Sequence, residues 1–238
     1  MPDRGLRIAM WSGPRSISTA LLRSWGNRPD CAVWDEPLYA HYLTRCTPDH
    51  PGINEVVAAH ETDWRKVVAR MLGPVPGGRA IFYQKHMAHH LLPNLDRDWV
   101  AGLRNALLIR DPGEMLTSLV RVTPRPELSD TGLPQQWELF QDLRPPVIDA
   151  RDVLENPSTM LAKLCARLGV PFTDAMLSWE PGPRSTDGVW AKHWYDAVER
   201  STGFAPYRPK ADRVPEELEE LHRECLEYYH QLHEQRIR

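Results

Sequence analysis

Short apolar runs alternate with longer amphipathic stretches along most of the chain. The apolar runs predict strands at residues 6–11, 31–34, 80–83, 105–109 and 146–149. The amphipathic stretches between and after them predict helices at residues 17–25, 56–72, 135–143, 156–169 and 216–233. This alternation predicts an α/β fold of three layers, in which helices cover both faces of a mostly parallel central sheet.

Turn and capping residues mark several of the predicted boundaries. Asp111, Pro112 and Glu114 fit the N-cap, N1 and N3 positions of a capping box that opens a helix. Proline and polar residues predict loops at 123–134 and 180–188.

Polar clusters follow three of the predicted strands, at residues 12–19, 84–86 and 110–118. Ligands of parallel α/β sheets bind outside the carboxyl ends of the strands. We therefore expect the three clusters to contribute to one cleft.

The first cluster reads S-G-P-R-S-I-S-T and joins a strand to a helix. A helix N-terminus offers free N–H groups and partial positive charge to an anion, and Arg15 adds a fork of donors suited to phosphate. The simpler alternative is a polar loop in which Ser16 caps the helix. The Walker A pattern is absent, so the Mg²⁺-ATP chemistry tied to it is not indicated.

A second anion-binding pair is predicted after the most apolar strand. Arg110 leaves that strand, and Ser118 lies two turns into the following helix, so both could meet a phosphate above the helix. The alternative is that Arg110 pairs with Asp111 or Glu114 while Ser118 bonds to its own backbone.

Length, net charge and cysteine content limit the classes of protein to which this chain can belong. The 238 residues favour one α/β domain, 1–238, with residues 215–238 as a C-terminal helix. The net charge of −3 gives no general basic field, which argues against nucleic acid as a partner. Four dispersed cysteines, the lack of an apolar leader and the lack of a membrane-length apolar run favour a cytoplasmic protein that does not enter a membrane.

Residues 14–19 resemble the 5′-phosphosulfate loop, P-[KR]-S-G-[ST]-T, of sulfotransferases that use 3′-phosphoadenosine-5′-phosphosulfate (PAPS); Ile17 replaces the family glycine. In that family an arginine after a later strand and a serine eight positions on bind the 3′-phosphate, and Arg110 and Ser118 have that spacing. The resemblance implies a fold related to P-loop nucleotide kinases, PAPS as donor and PAP as product. It also implies a donor-loop contact from each of Arg15, Ser16, Ile17, Ser18 and Thr19.

Three further segments are similar to segments of this family. Residues 84–86, Q-K-H, resemble the K-T-H segment that contains the catalytic histidine, which places His86 on the base and shifts the lysine to Lys85. Residues 184–194 are similar to the C-terminal nucleotide loop, in which Arg184 and Gly188 would contact the donor. Residues 149–172 resemble the acidic segment and helix that end in L-G-[VL]-P-F.

Sulfuryl transfer requires in-line positioning, neutralisation of the charge that grows on the leaving phosphate oxygen, and a base for the acceptor. Arg15 and Lys85 are candidates for the charge role. His86 is the preferred base, and Glu36, which resembles the glutamate of some bacterial carbohydrate sulfotransferases, is the alternative. The simpler interpretation of Glu36 is a carboxylate at a helix start beside Pro37.

The same motifs bear on the alternative functions of this chain. A P-loop kinase-like phosphotransferase lacks its Walker lysine here, and a PAP-binding protein without catalysis stays an alternative. His86, His89 and His90 would share a helix face at i, i+3 and i+4, but no carboxylate follows at ligand spacing, so no metal is expected. The acceptor is expected to be a small molecule or carbohydrate, and the seam of helix 216–233 leaves internal packing and homodimerisation open.

Overall fold

The computed structural model describes residues 5–45, 52–209 and 213–238. Five strands form one sheet, and their bounds are β1 Leu6–Ser12, β2 Cys31–Asp35, β3 Ile81–Met87, β4 Arg104–Ile109 and β5 Val147–Asp149. Their order is β2-β3-β1-β4-β5, and every neighbouring pair is parallel. All five carboxyl ends therefore lie along the same edge, which confirms the predicted parallel α/β sheet.

The helices of the described residues connect and follow these strands. In chain order they are α1 Ser18–Gly26, α2 Tyr39–Leu43, α3 Ile53–Ala59, α4 Trp64–Met71, α5 Pro112–Leu119, α6 Leu128–Thr131, α7 Leu133–Leu143, α8 Ala150–Glu155, α9 Pro157–Leu168, α10 Ala191–Trp194, α11 Asp196–Glu199 and α12 Glu219–Glu234. Short 3₁₀ turns occur at Pro76–Gly78, Ala88–His90, Asp98–Gly102, Asp174–Met176 and Glu216–Leu218.

Side chains that alternate along the strands fill a separate core on each face of the sheet. One core holds Ile8 and Met10 of β1 against buried residues of α1 and α9. The other holds Ala9 and Trp11 of the same strand against α4, α7 and α12. Because the strands are buried on both faces, they are apolar along their length rather than alternating. The structure thus confirms the three layers.

The seam of the C-terminal helix packs inside the molecule. Cys225 and Leu232 are fully buried, and Tyr229 is nearly so. Leu221 and Tyr228 lie against the same cores. This helix therefore contributes to the fold of its own chain.

Three predicted boundaries are wrong, each for an identifiable physical reason. Strand β3 continues through residues 84–86, which were predicted to follow it, because it lies between β2 and β1 and bonds to both. The predicted helix 56–72 is two helices, because Asp63 accepts from Arg65 N and starts α4 afresh. The predicted loop 123–134 contains α6, stabilised by the reciprocal cap of Glu127 and Asp130.

Candidate active site

The loop between β1 and α1 follows a path that bends at two residues with positive φ, Arg15 (57°) and Ile17 (61°). Ile17 is the N-cap of α1 in the left-handed conformation, which glycine adopts most readily. Ser16 was considered as the cap, but its Oγ instead donates to Gly13 O at 2.6 Å inside the loop. The loop therefore has the backbone shape suited to glycine, although isoleucine replaces it.

The same loop is tightly covered by the segment that leads into α7. A Cβ on Gly13 would lie 2.5 Å from the carbonyl oxygen of Thr131. Gly132, with φ of 72°, lets the chain turn at this contact. Ser18 is buried in the first turn of α1 and Thr19 is half-buried. Both hydroxyl residues thus begin the helix whose N-terminus faces the loop.

Arginines gather where β1 and β4 end. Arg15 Nε donates to Ser118 Oγ at 2.9 Å, and Arg110 Nη1 donates to the carbonyl of Arg15 at 2.5 Å. Partial burial and the neighbouring charges of Arg110 and Arg121 lower the pKa of Arg15 from its ordinary value. Closely spaced cations attract an anion, so this group forms a candidate phosphate site.

Arg110 also pairs with Glu114, as the simpler interpretation expected. Its Nη2 lies 2.8 Å from Glu114 Oε2, and Tyr207 OH donates to the other carboxylate oxygen at 2.6 Å. Asp111 accepts from Glu114 N and caps α5 as predicted. Arg110 therefore contacts both the loop after β1 and its own helix α5.

A buried charge cluster lies at the ends of β2 and β3. Lys85 Nζ donates to Asp35 Oδ1 at 2.9 Å, to Glu36 Oε1, and to Tyr195 OH at 3.0 Å. Tyr195 OH in turn donates to Asp35 Oδ2 at 2.5 Å. The cluster thus connects Tyr195, which directly follows the C-terminal loop of residues 184–194, to the ends of β2 and β3.

Burial and charge act in opposite directions on this cluster. Burial disfavours the charged form of Lys85, but Asp35 and Glu36 outweigh it and raise the lysine pKa well above its ordinary value. Burial, opposed by Lys85 and reinforced by Asp35, raises the pKa of Glu36. A carboxylate whose pKa is raised toward the working range is suited to accept a proton.

Glu36 lines a cavity of about 270 Å³ beside β2. The residue has a positive φ of 41°, directly after the strand ends. Its carboxylate is therefore anchored by Lys85 on one side and borders a space large enough for a small molecule on the other.

His86 has a different environment from the one expected of a base. It lies within β3, 1% exposed, with its ring stacked on Trp11 at 4.2 Å between centroids. Burial, followed by the charge of Lys85, lowers its pKa to about 3. Because side chains alternate along a strand, His86 and Gln84 point to one face and Lys85 to the other, so the structure does not bring His86 and Lys85 together.

The three histidines considered for a metal do not share a helix face, because His86 belongs to β3 while His89 and His90 lie in the 3₁₀ turn after it. Within residues 5–45, 52–209 and 213–238, no group of three or more His, Cys, Asp or Glu side chains could hold a metal ion. None of the helices described is both long and apolar enough to cross a membrane.

The C-terminal loop docks on α1 through a buried ion pair between Arg23 and Asp187, with Nη2 2.7 Å from Oδ2. Arg184 is half-buried, and its backbone N–H donates to the same carboxylate. Gly188 is required, since a Cβ there would overlap the ring of Trp190. The loop that contains the predicted donor residues is thus held against α1.

Asp35 and Tyr195 are the site residues that the sequence analysis did not single out. Asp35 directly precedes Glu36, so an acidic pair at a strand end was the available signal. Tyr195 is separated by 160 residues from its partner Asp35, and nothing local indicates that contact.

A parallel sheet of this order, with a tight loop between its first strand and helix, defines a P-loop-like α/β protein. The chain belongs to the sulfotransferase domain family, whose model matches residues 6–236. Two solved structures share the fold. The sulfotransferase domain from the curacin biosynthetic pathway has a TM-score of 0.60 at 16% identity, covering 96% of this chain and 98% of that one. The sulfotransferase domain of the Synechococcus PCC 7002 olefin synthase has a TM-score of 0.51 at 15% identity, covering 95% and 96%.

Two curated proteins of Arabidopsis thaliana are similar in sequence. Branched-chain-amino-acid aminotransferase-like protein 2 is 34% identical over 227 residues, 93% of this chain and 40% of its own length. Protein 1 of the same name is 38% identical over 203 residues, 83% of this chain and 36% of its own length. The chain therefore spans about two fifths of the length of these relatives.

Proposed function

We propose that the chain transfers a sulfuryl group from PAPS to a hydroxyl or amine of a small-molecule or carbohydrate acceptor, without a metal. The observation that carries the proposal is the contact between Arg15 and Ser118. These residues come from two motifs, 103 positions apart, that the resemblance assigns to the 5′-phosphosulfate and the 3′-phosphate of one donor. A protein that binds such a donor needs both groups at one place.

The donor would lie across the ends of β1 and β4. Arg15, the N-terminus of α1 and the hydroxyls of Ser16, Ser18 and Thr19 would hold the 5′-phosphosulfate, with Ile17 supplying backbone. Arg110 and Ser118 would hold the 3′-phosphate. Arg184 and Gly188 would contact the nucleotide from the C-terminal loop.

Transfer forms a bond between sulfur and the acceptor oxygen or nitrogen while the bond from sulfur to the phosphate oxygen breaks. The acceptor proton goes to a base, and the electron pair of the broken bond stays on PAP, where Arg15 would neutralise it. We assign the base to Glu36, because His86 is enclosed and has a pKa near 3. Lys85 would act by holding the Glu36 carboxylate.

Isothermal titration with PAP tests the donor site. A charge-assisted contact contributes about 1.5–3 kcal/mol, so we expect Arg15→Ala and Arg110→Ala each to weaken binding about tenfold or more. Arg65→Ala is the matched control, since Arg65 is exposed on α4 and stacks on Trp64. A folded wild-type protein that does not bind PAP would overturn the proposal. Binding followed by transfer from labelled PAPS to an acceptor would support it, whereas binding without transfer to any of a broad set of alcohols and amines would indicate a non-catalytic PAP-binding protein.

A further inference from the structure

The cavity beside Glu36 has walls and charges that would select an acceptor. Two indoles line it, those of Trp34 and Trp190, and they add apolar surface to its walls. Lys66 and Arg70 of α4 line the same space. One cavity therefore combines the proposed base, aromatic walls and two cations.

Arg70 is the more informative of the two cations. Its guanidinium lies 4.3 Å from the centroid of the Trp34 ring, a cation–π contact that holds the exposed side chain beside the cavity. Within the described parts of the chain, no carboxylate lies within ion-pair distance of Arg70. A guanidinium that is placed at the cavity by an aromatic ring and has no carboxylate partner among the described residues is suited to pair with a carboxylate of a ligand.

Lys66 strengthens this preference only modestly. It lies one turn before Arg70 on α4 and is 3.5 Å from Glu61, with both side chains largely exposed. Lys85 offsets only part of the negative charge of Glu36 from inside the protein, because it also pairs with Asp35. Lys66 and Arg70 of α4 thus line the same cavity as the proposed base, Glu36, which directly follows β2.

Polar recognition inside the cavity has one further candidate. His60 lines the space with its ring 5.0 Å from that of Trp190. Its Nε2 is buried, and no described residue accepts from it or donates to it. Burial lowers its pKa and favours the neutral ring, which has one donor and one acceptor nitrogen.

The size of the cavity limits the acceptor. Pockets for drug-sized ligands measure about 300–1,000 Å³, and this one measures about 270 Å³. A single substituted ring or a short chain would fill it, whereas a sugar chain of several residues would extend outside.

We propose that this cavity binds the acceptor and that the acceptor is a small hydroxy acid, whose hydroxyl meets Glu36 while its carboxylate pairs with Arg70. The inference rests on the proposed sulfuryl transfer and names the class of its acceptor. An aromatic or short aliphatic body would pack against the apolar surface that Trp34 and Trp190 contribute to the lining.

Titration of hydroxy acids and their neutral esters into the PAP-saturated protein tests this. The probes are 4-hydroxyphenylacetate, 4-hydroxybenzoate and 3-hydroxybutyrate, each beside its methyl ester. We expect at least one acid to bind the wild type more tightly than its ester, and Arg70→Gln to weaken the acid about tenfold without changing the ester. The control is Arg65→Gln, an arginine of the same helix that stacks on Trp64 at 4.6 Å and does not line the cavity. Its affinity for the acid should equal that of the wild type.

The outcomes separate this inference from the proposed function. If PAP binds but every acid binds no better than its ester, or no acid binds, the hydroxy-acid inference is overturned while the donor site stands. Equal losses of affinity for the acid in Arg70→Gln and Arg65→Gln would also overturn it, because they would show an effect of the protein's overall charge rather than a contact inside this cavity. Failure of PAP itself to bind would overturn both proposals at once.

Discussion

Lys85 lies 2.9 Å from Asp35, and both side chains are almost fully buried. A buried charge is tolerated only when its partners compensate for lost hydration, and here one ammonium serves two consecutive carboxylates. The arrangement makes the lysine a requirement of the fold and a support for the proposed base.

We expect Lys85→Met to destabilise the protein by about 3–5 kcal/mol in urea unfolding, because it leaves Asp35 and Glu36 buried without their cation. Part of the loss should be recovered as the pH falls, since protonated carboxyls no longer repel each other. Lys66→Met, on an exposed side chain, is the control and should change stability little. If the loss in free energy of unfolding caused by Lys85→Met did not depend on pH, this explanation would be wrong.

The choice of base predicts a mutational difference. Glu36→Gln should lower kcat for sulfuryl transfer by about 10²–10⁴, whereas His86→Asn should alter stability more than the turnover of the folded enzyme. Burial raises the pKa of Glu36, and only the ionised base accepts a proton, so activity should fall as the pH drops through that raised pKa. A normal rate in Glu36→Gln, with a folded but inactive His86→Asn, would return the role to His86.

Gly188→Ala should destabilise the protein by about 1–3 kcal/mol and weaken PAP binding, because the new methyl overlaps the Trp190 ring and displaces the loop. Thermal unfolding and PAP titration measure the two effects. Gly26→Ala is the control, since a Cβ there would make only ordinary contacts of 3.5 Å with Val33. Equal behaviour of the two variants would show that the close approach at Gly188 does not matter.

The left-handed backbone at Ile17 predicts a contrast between two substitutions. Ile17→Gly should bind PAP within about threefold of the wild type, because glycine adopts the existing φ of 61° readily. Ile17→Pro should lose binding, because proline fixes φ near −65° and cannot keep the loop path. Tight PAP binding by a folded Ile17→Pro protein would be inconsistent with a donor loop of this shape.

Asp149 gives the fold a pH dependence outside the site. It accepts from Arg151 N and from Tyr229 OH, and burial raises its pKa to about 6. A raised carboxyl pKa stabilises the folded state below the unfolded pKa, and this contribution is lost as the pH rises through about 6. Between pH 4 and pH 7, the wild type should therefore lose about 3 kcal/mol relative to Asp149→Asn, measured by urea unfolding at each pH.

Asp98→Asn, at an exposed position, provides the comparison for Asp149. Its stability should follow that of the wild type across the same pH range. A constant gap between Asp149→Asn and the wild type would mean that Asp149 titrates normally in the folded protein.

The sequence by itself determined the layered α/β architecture, because runs of apolar residues buried on both faces specify parallel strands without reference to distant contacts. It also brought Arg15 and Arg110 to one edge of the sheet, since each follows a strand and the carboxyl ends of parallel strands share that edge, and Ser118 of α5 contacts Arg15 there.

Tertiary structure alone decided where β3 ends, and with it the environments of Lys85 and His86. The strand continues past its apolar run because β1 and β2 supply backbone hydrogen bonds on both sides. The intrinsic strand propensity of residues 84–86 does not include the energy of those hydrogen bonds. The pairing of Tyr195 with Asp35 was likewise outside the reach of local pattern. The contact depends on how the C-terminal loop and the residue that follows it pack against the strand ends. Buried polar groups form hydrogen bonds with groups that lie nearby in the fold, however distant those groups are in sequence.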